Sequence, residues 1–156
     1  MKLELIDSES IVNIPLFLDR VPAGFPSPAA DYMEERINLN STLIKHPDST
    51  YMLRVEGNSM IDANINDGDV VIVDSAITAK DGDIVIASVD GEFTVKRLNS
   101  NPPMLMPMNP EYSPILIGDM QDLQIFGVVT YIIHKAVWVL LPAYATNFDE
   151  LPVVKA

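Results

Sequence analysis

The sequence contains no cysteine among its 156 residues. That absence excludes disulfide frameworks, thiol nucleophiles and Cys-ligated zinc or iron–sulfur centres, and it fits a reducing compartment. Basic residues are scarce as well: 10 Lys+Arg face 22 Asp+Glu, a formal charge of −12. A domain that grips duplex DNA neutralises phosphates with clustered Lys and Arg, so direct sequence-specific DNA binding is not expected. The apolar stretch from Ile125 to Ile133 is too short to span a bilayer and is closed by His134-Lys135. Lys2, Glu4, Asp7 and Glu9 interrupt the first residues, so no secretory apolar region forms there. The expectation is a soluble cytoplasmic protein with no membrane contact. What is present, 48% hydrophobic and 21% charged residues, is the composition of one ordinary globular domain with an arm or tail.

Residues 1–40 read as an arm. Pro15, Pro22, Pro26 and Pro28 place four of the twelve prolines within 14 residues and break any long helix, and Gly24 adds a flexible point. Val21 to Pro28 reads as an extended, protease-accessible segment. Ala30, Met33 and Ile37 recur at helical spacing, which predicts a short helix around Ala29 to Leu39. Residues 41–140 turn to a mainly β pattern of about six strands, antiparallel and joined by hairpins. Tyr51, Leu53 and Val55 alternate, and Val70 to Val73 is a β-branched run expected to be buried on both faces. Ile84 to Val89 and Glu92 to Leu98 flank Asp90-Gly91, a strong hairpin signal. Met104 to Met108 and Ile125 to Ile133 complete the set. Residues 141–156 are expected to form a loosely held tail.

Several constellations fail on their own chemistry. Asp62-Ala-Asn-Ile-Asn-Asp-Gly68 resembles a calcium loop, but Asp67 stands where the loop needs Gly, and Val73 where it needs a bidentate Glu. His46 and His134, with no HExxH spacing, make no zinc centre. Nine acids lie between Glu56 and Glu92 against Lys80 alone, most of them in Asp-Gly turns where the side chain caps its own backbone. No phosphate-binding glycine loop is present. No metal and no cofactor is expected.

A serine and a lysine remain. Ser59, in Gly57-Asn-Ser-Met60, sits on a tight turn beyond the strand Tyr51 to Val55. Lys96 follows 37 residues later inside a strand whose same face carries Thr94 and Leu98. A strand lysine is commonly a solvated edge residue that blunts aggregation. The alternative is a Ser-Lys dyad, in which the amine acts as general base and must be neutral, which burial favours. The spacing by itself leaves both open.

Gly57-Asn-Ser59-Met60, Ile65-Asn-Asp-Gly-Asp-Val-Val-Ile-Val-Asp74, Gly82-Asp-Ile-Val85 and Gly91-Glu-Phe-Thr-Val-Lys96-Arg97 are similar to the LexA/UmuD family of self-cleaving peptidases. Phe25-Pro-Ser-Pro-Ala-Ala-Asp-Tyr32, Asp74-Ser-Ala-Ile-Thr78 and Met108-Asn-Pro-Glu-Tyr-Ser-Pro114 resemble its UmuD branch. The resemblance covers Ile14 to Lys135 and implies the mainly β LexA-type peptidase domain, as a homodimer. Residue by residue, Ser59 matches the nucleophile, Lys96 the general base, and Ala23-Gly24 the self-cleaved bond, with the Ser59 backbone N–H as candidate oxyanion donor. Members of this branch are cleaved on meeting the RecA–single-stranded DNA filament in the SOS response to DNA damage. Their shortened form joins UmuC in the error-prone translesion polymerase V. Asn13-Ile-Pro-Leu-Phe17 resembles the stretch that contacts the replication sliding clamp, and an apolar anchor for the arm is the equal alternative.

Three departures stand out: Asn58 in place of the branch's usual Asp, Ala23 in place of its usual Cys, and Val137 to Ala156 running past the expected end. A repressor of the LexA or phage type would need a DNA-reading module, for which 23 residues before Gly24 holding only Lys2 and Arg20 are too few and too acidic. A signal peptidase would need a membrane anchor. An inactive interaction module is the remaining alternative.

Overall fold

In the computed structural model, residues 13–17, 33–118, 123–136 and 151–156 are described. The chain divides into two compact units at Pro47 and Asp48. In the first, β1 (Asn13–Phe17) pairs antiparallel with β2 (Met33–Asn38), Asn13 opposite Asn38 and Phe17 opposite Met33. A single helical turn, α1 (Leu39–Leu43), follows. The helix expected around Ala29 to Leu39 is thus corrected where it can be seen: Met33 to Asn38 is strand, and the helix begins only at Leu39. Asn38 supplies the reason. Its side chain accepts from the Asn40 N–H at 2.9 Å, and its carbonyl accepts the Ser41 and Thr42 hydroxyls at 3.0 and 2.8 Å. An asparagine capped in this way starts a helix and does not sit inside one.

The second unit is mostly β, as the pattern implied. Its strands are β3 (Thr50–Glu56), β4 (Val70–Asp74), β5 (Ile84–Val89), β6 (Glu92–Ser100), β7 (Pro103–Met106), β8 (Ile115–Leu116), β9 (Leu123–Ile133) and β10 (Val153–Lys155). They form one eight-stranded sheet in the order β10-β3-β4-β9-β5-β6-β7-β8. An additional pairing of β10 with β6 curls six of the strands into a barrel-like ring. The pairings are antiparallel except those of β10, which runs parallel to β3 and β6. All five residues of β4 are buried, as its β-branched run suggested. Asp90 and Gly91 both take positive φ, 51° and 85°, and close the two-residue turn between β5 and β6.

The long β9 bends across the sheet, pairing with β4 along one half and with β5 along the other, with a register shift in each. Gly127 permits that approach: a Cβ there would lie 2.7 Å from Val73 Cγ1 and 3.0 Å from the Asp74 carbonyl oxygen. One core cluster joins Leu53, Val55, Met60, Ile65, Val71, Val73, Ile86, Val95 and Val154. A smaller one holds Val85, Ala87, Leu105 and Val128. Residues flanking the two candidate site positions, Met60 and Val95, are therefore core residues, and packing holds the site's backbone on both sides. The loosely held tail is corrected at its end, where Val154 is 1% exposed and belongs to the main core.

Candidate active site

The main core fixes the two elements that meet at the site. β3 buries Leu53 and Val55 on one face and then runs into Gly57, whose φ of +103° turns the chain sharply. Ser59 follows on that turn and is fully buried. Three hydrogen bonds clamp the turn to residues 108–109: Met108 N–H donates to the Ser59 carbonyl at 2.7 Å, Asp62 N–H to the Met108 carbonyl at 2.8 Å, and Asn109 Nδ2 to the Asn58 carbonyl at 2.9 Å. From the facing side β6 brings Thr94 and Lys96 on one face while Val95 points into the core.

Lys96 Nζ and Ser59 Oγ are 2.8 Å apart. The structure thus brings together the two residues singled out in the sequence, and it does so in a buried setting, with Lys96 only 6% exposed. The solvated-edge reading of Lys96 does not hold. Nζ also lies 2.8 Å from Thr94 Oγ1 and 3.0 Å from the Val95 carbonyl oxygen. No carboxylate is among these partners, so burial is unopposed and lowers the Lys96 pKa from 10.5 to about 8. An open cleft of about 460 Å³ adjoins the amine, lined among others by Val89, Glu92, Phe93, Thr94, Lys96 and Lys155.

Ala23 and Gly24 lie outside the described residues, and Asn13 to Phe17 is β1 of the other unit. Five of the nine acids set aside above bond to backbone. Asp67 accepts from Gly57 N–H, Asp74 from Ala76 N–H, Asp83 from Lys80 N–H and Asp81 from Ser100 N–H, at 2.6–2.9 Å. His134 Nδ1 sits 2.6 Å from Asp69 Oδ1, and Asp69 Oδ2 accepts from Asn66 N–H, which ties the end of β9 to the start of β4. Three contributors went unassigned in the sequence: Thr94, Asn109 and Lys155. Thr94 had a signal, since residues two apart on a strand share a face. Asn109 stood in one of the blocks that carry the family resemblance, without a role, and Lys155 had no signal, being distant in sequence from what it touches.

The second unit is a mostly β, barrel-like domain that buries a Ser-Lys pair beside an open cleft, and the chain belongs to the Peptidase S24-like family, whose model matches residues 15–130. Within that family it is UmuD-like. It is 53% identical over 122 residues to Protein SamA of Salmonella typhimurium, covering 78% of this chain and 85% of SamA. To Protein MucA of Escherichia coli it is 46% identical over 136 residues, 84% of this chain and 93% of MucA. The LexA repressor of Acidithiobacillus ferrooxidans is 41% identical over 132 residues, 81% of this chain but 63% of LexA. Among the described residues, no helix is long and apolar enough to cross a membrane.

Proposed function

We propose that this chain is a self-cleaving serine peptidase in which Ser59 is the nucleophile, Lys96 the general base, and Ala23–Gly24 the scissile bond. One observation carries the reading: a buried 2.8 Å contact between Oγ and an amine whose pKa burial brings to about 8. Neutral Lys96 takes the Ser59 hydroxyl proton as Oγ attacks the Ala23 carbonyl carbon. The resulting oxyanion is stabilised by backbone donors, the Ser59 N–H being the candidate. The Ala23–Gly24 bond breaks, and Lys96 returns the proton to the departing Gly24 amine. Lys96 then deprotonates a water that attacks the Ser59 ester, releasing the Ala23 carboxylate and restoring the hydroxyl. The 35 residues between the bond and Ser59, at most ~3.3–3.6 Å each, allow cleavage within a chain or between two copies.

The cellular role follows the UmuD-like relationship. The chain forms a homodimer in the cytoplasm and is cleaved on contact with the RecA–single-stranded DNA filament. The shortened dimer joins UmuC for translesion synthesis, and residues 13–17 touch the sliding clamp. Incubation with RecA, single-stranded DNA and an ATP analogue tests this, with expected fragments of 23 and 133 residues by mass spectrometry. Intact protein under those conditions, or undiminished cleavage in Ser59→Ala, overturns it. A repressor reading draws on the LexA similarity alone, and a sequence-specific gel shift would favour it.

A further inference from the structure

Residues 151–156 have no part in the reaction above, yet they pair with both strands that lead to the dyad, β3 and β6. β10 covers the edge of β3 that leads to Ser59. Arg54 N–H donates to the Pro152 carbonyl at 2.9 Å, and Ala156 N–H donates to the Glu56 carbonyl at 2.7 Å. On the other side the Thr94 hydroxyl donates to the Lys155 carbonyl at 3.0 Å, and that same hydroxyl oxygen touches Lys96 Nζ. Val154 is sunk in the cluster with Val55, Met60 and Val95. Ala156 reaches Gly57, where a Cβ would meet its carbonyl oxygen at 2.9 Å. This is how a peptidase holds an extended substrate: main-chain bonds to the strand beside the nucleophile, with alternate side chains in pockets.

The occupant's sequence points the same way. Leu151-Pro-Val-Val-Lys-Ala156 and Leu18-Asp-Arg-Val-Pro-Ala23 share Leu, Val and Ala at the first, fourth and sixth positions. The second hexapeptide ends at the proposed scissile bond. Its Val21 and Ala23, like Val154 and Ala156, are two apart and share a face when extended. We infer that residues 151–156 are an internal mimic of the scissile segment, docked in the extended-peptide slot along β3, and must leave before residues 18–24 can enter. The inference rests on the Ser-Lys reading for the identity of the slot. A valine buried at the fourth position and an alanine packed against the same cluster at the sixth are the features the slot selects.

The test uses the full chain. The register partners Arg54 and Val153 are replaced as a pair, Arg54→Cys with Val153→Cys, in a protein that has no other thiol. A fluorescent peptide of sequence 18–23 is then followed by anisotropy in a Ser59→Ala background, and self-cleavage is followed with Ser59 intact. Once mass spectrometry shows the crosslink, peptide binding and cleavage should each fall at least tenfold, and reductant should restore both. Val154→Asp, which disfavours docking of the mimic, should raise both at least fivefold, and unlabelled peptide 151–156 should compete with the probe. Equal binding in the crosslinked and reduced forms, or failure of the two peptides to compete, overturns the inference. Competition that persists while no variant cleaves at any pH counts against the dyad and upholds the slot.

Discussion

Self-cleavage of the purified chain, without RecA, should follow the neutral fraction of Lys96. With its pKa lowered to about 8 by burial, the amine is about 1% neutral at pH 6, about 9% at pH 7 and about 90% at pH 9. The first-order rate should therefore rise roughly tenfold from pH 6 to pH 7, rise about tenfold again to pH 9, and change little beyond. An amine at its ordinary value of 10.5 would be only about 0.03% neutral at pH 7, so burial is worth about 300-fold in available base there. The assay is gel or mass-spectrometric quantification of the fragment beginning at Gly24, at constant ionic strength. Lys96→Arg supplies the control, because a guanidinium does not deprotonate in this range, and it should abolish the rise. A rate flat from pH 6 to pH 9 refutes the general-base role. A rise continuing with unit slope to pH 10.5 refutes the burial argument while leaving the role intact.

Thr94→Val removes one of the groups that hold the amine and should slow cleavage about 2- to 10-fold at pH 8, the cost of one neutral hydrogen bond, with Thr94→Ser recovering most of the rate. Stability should register Lys96 too. Its folded pKa lies below its unfolded one, so the unfolded chain binds more protons between about pH 8 and 10.5, and stability rises with pH across that window. In chemical denaturation the native chain should gain on Lys96→Met by at most about 1.4 kcal/mol per pH unit there, and a gain confined below pH 8 would contradict the sign. The Tyr51 hydroxyl, pushed to about 12 by burial, is common to both proteins and cancels. Gly127→Ala should cost about 1–3 kcal/mol and lower Tm by several degrees, since its methyl meets Val73 and the Asp74 backbone. An unchanged Tm would show that β9 can shift without loss.

The strands were legible where alternation or a β-branched run is bounded by turn chemistry, as in β4 and the β5–β6 hairpin. What escaped was short or held from afar. β8 has two residues and β10 three, too few for any periodicity to register. β10 exists because Val154 finds a place in a core built by residues about sixty to a hundred positions earlier. The helical spacing of Ala30, Met33 and Ile37 was overridden in the same way, by pairing of β2 with β1 and by the cap at Asn38. At the site, Ser59 on its turn and Lys96 on its strand were each visible, but spacing alone left their meeting open and only the family resemblance implied it, because a 37-residue separation is closed only by the sheet. The match between 18–23 and 151–156 was present in the sequence as three identities in six positions. It acquires weight only from the placement of the second segment against β3 and Thr94.

That placement bears on the role proposed for the buried lysine as a base. A neutral amine has two N–H donors and one lone pair. Val95 offers Nζ only an acceptor, its carbonyl oxygen. Thr94 Oγ1 could in principle donate to Nζ, but its hydrogen is already directed to the Lys155 carbonyl, so it too must accept. Both N–H groups are thereby used, and the lone pair is left facing Ser59 Oγ, which donates its hydroxyl proton along the 2.8 Å contact. The strand in the slot therefore does more than fill it: a carbonyl at the position of Lys155 sets the direction of the Thr94 hydroxyl, and through it the direction of the amine. A scissile segment that replaced residues 151–156 and presented its own carbonyl there would orient the base as it entered. An empty slot would leave the Thr94 hydroxyl free to turn its hydrogen onto Nζ, where it would compete with Ser59 for the one lone pair.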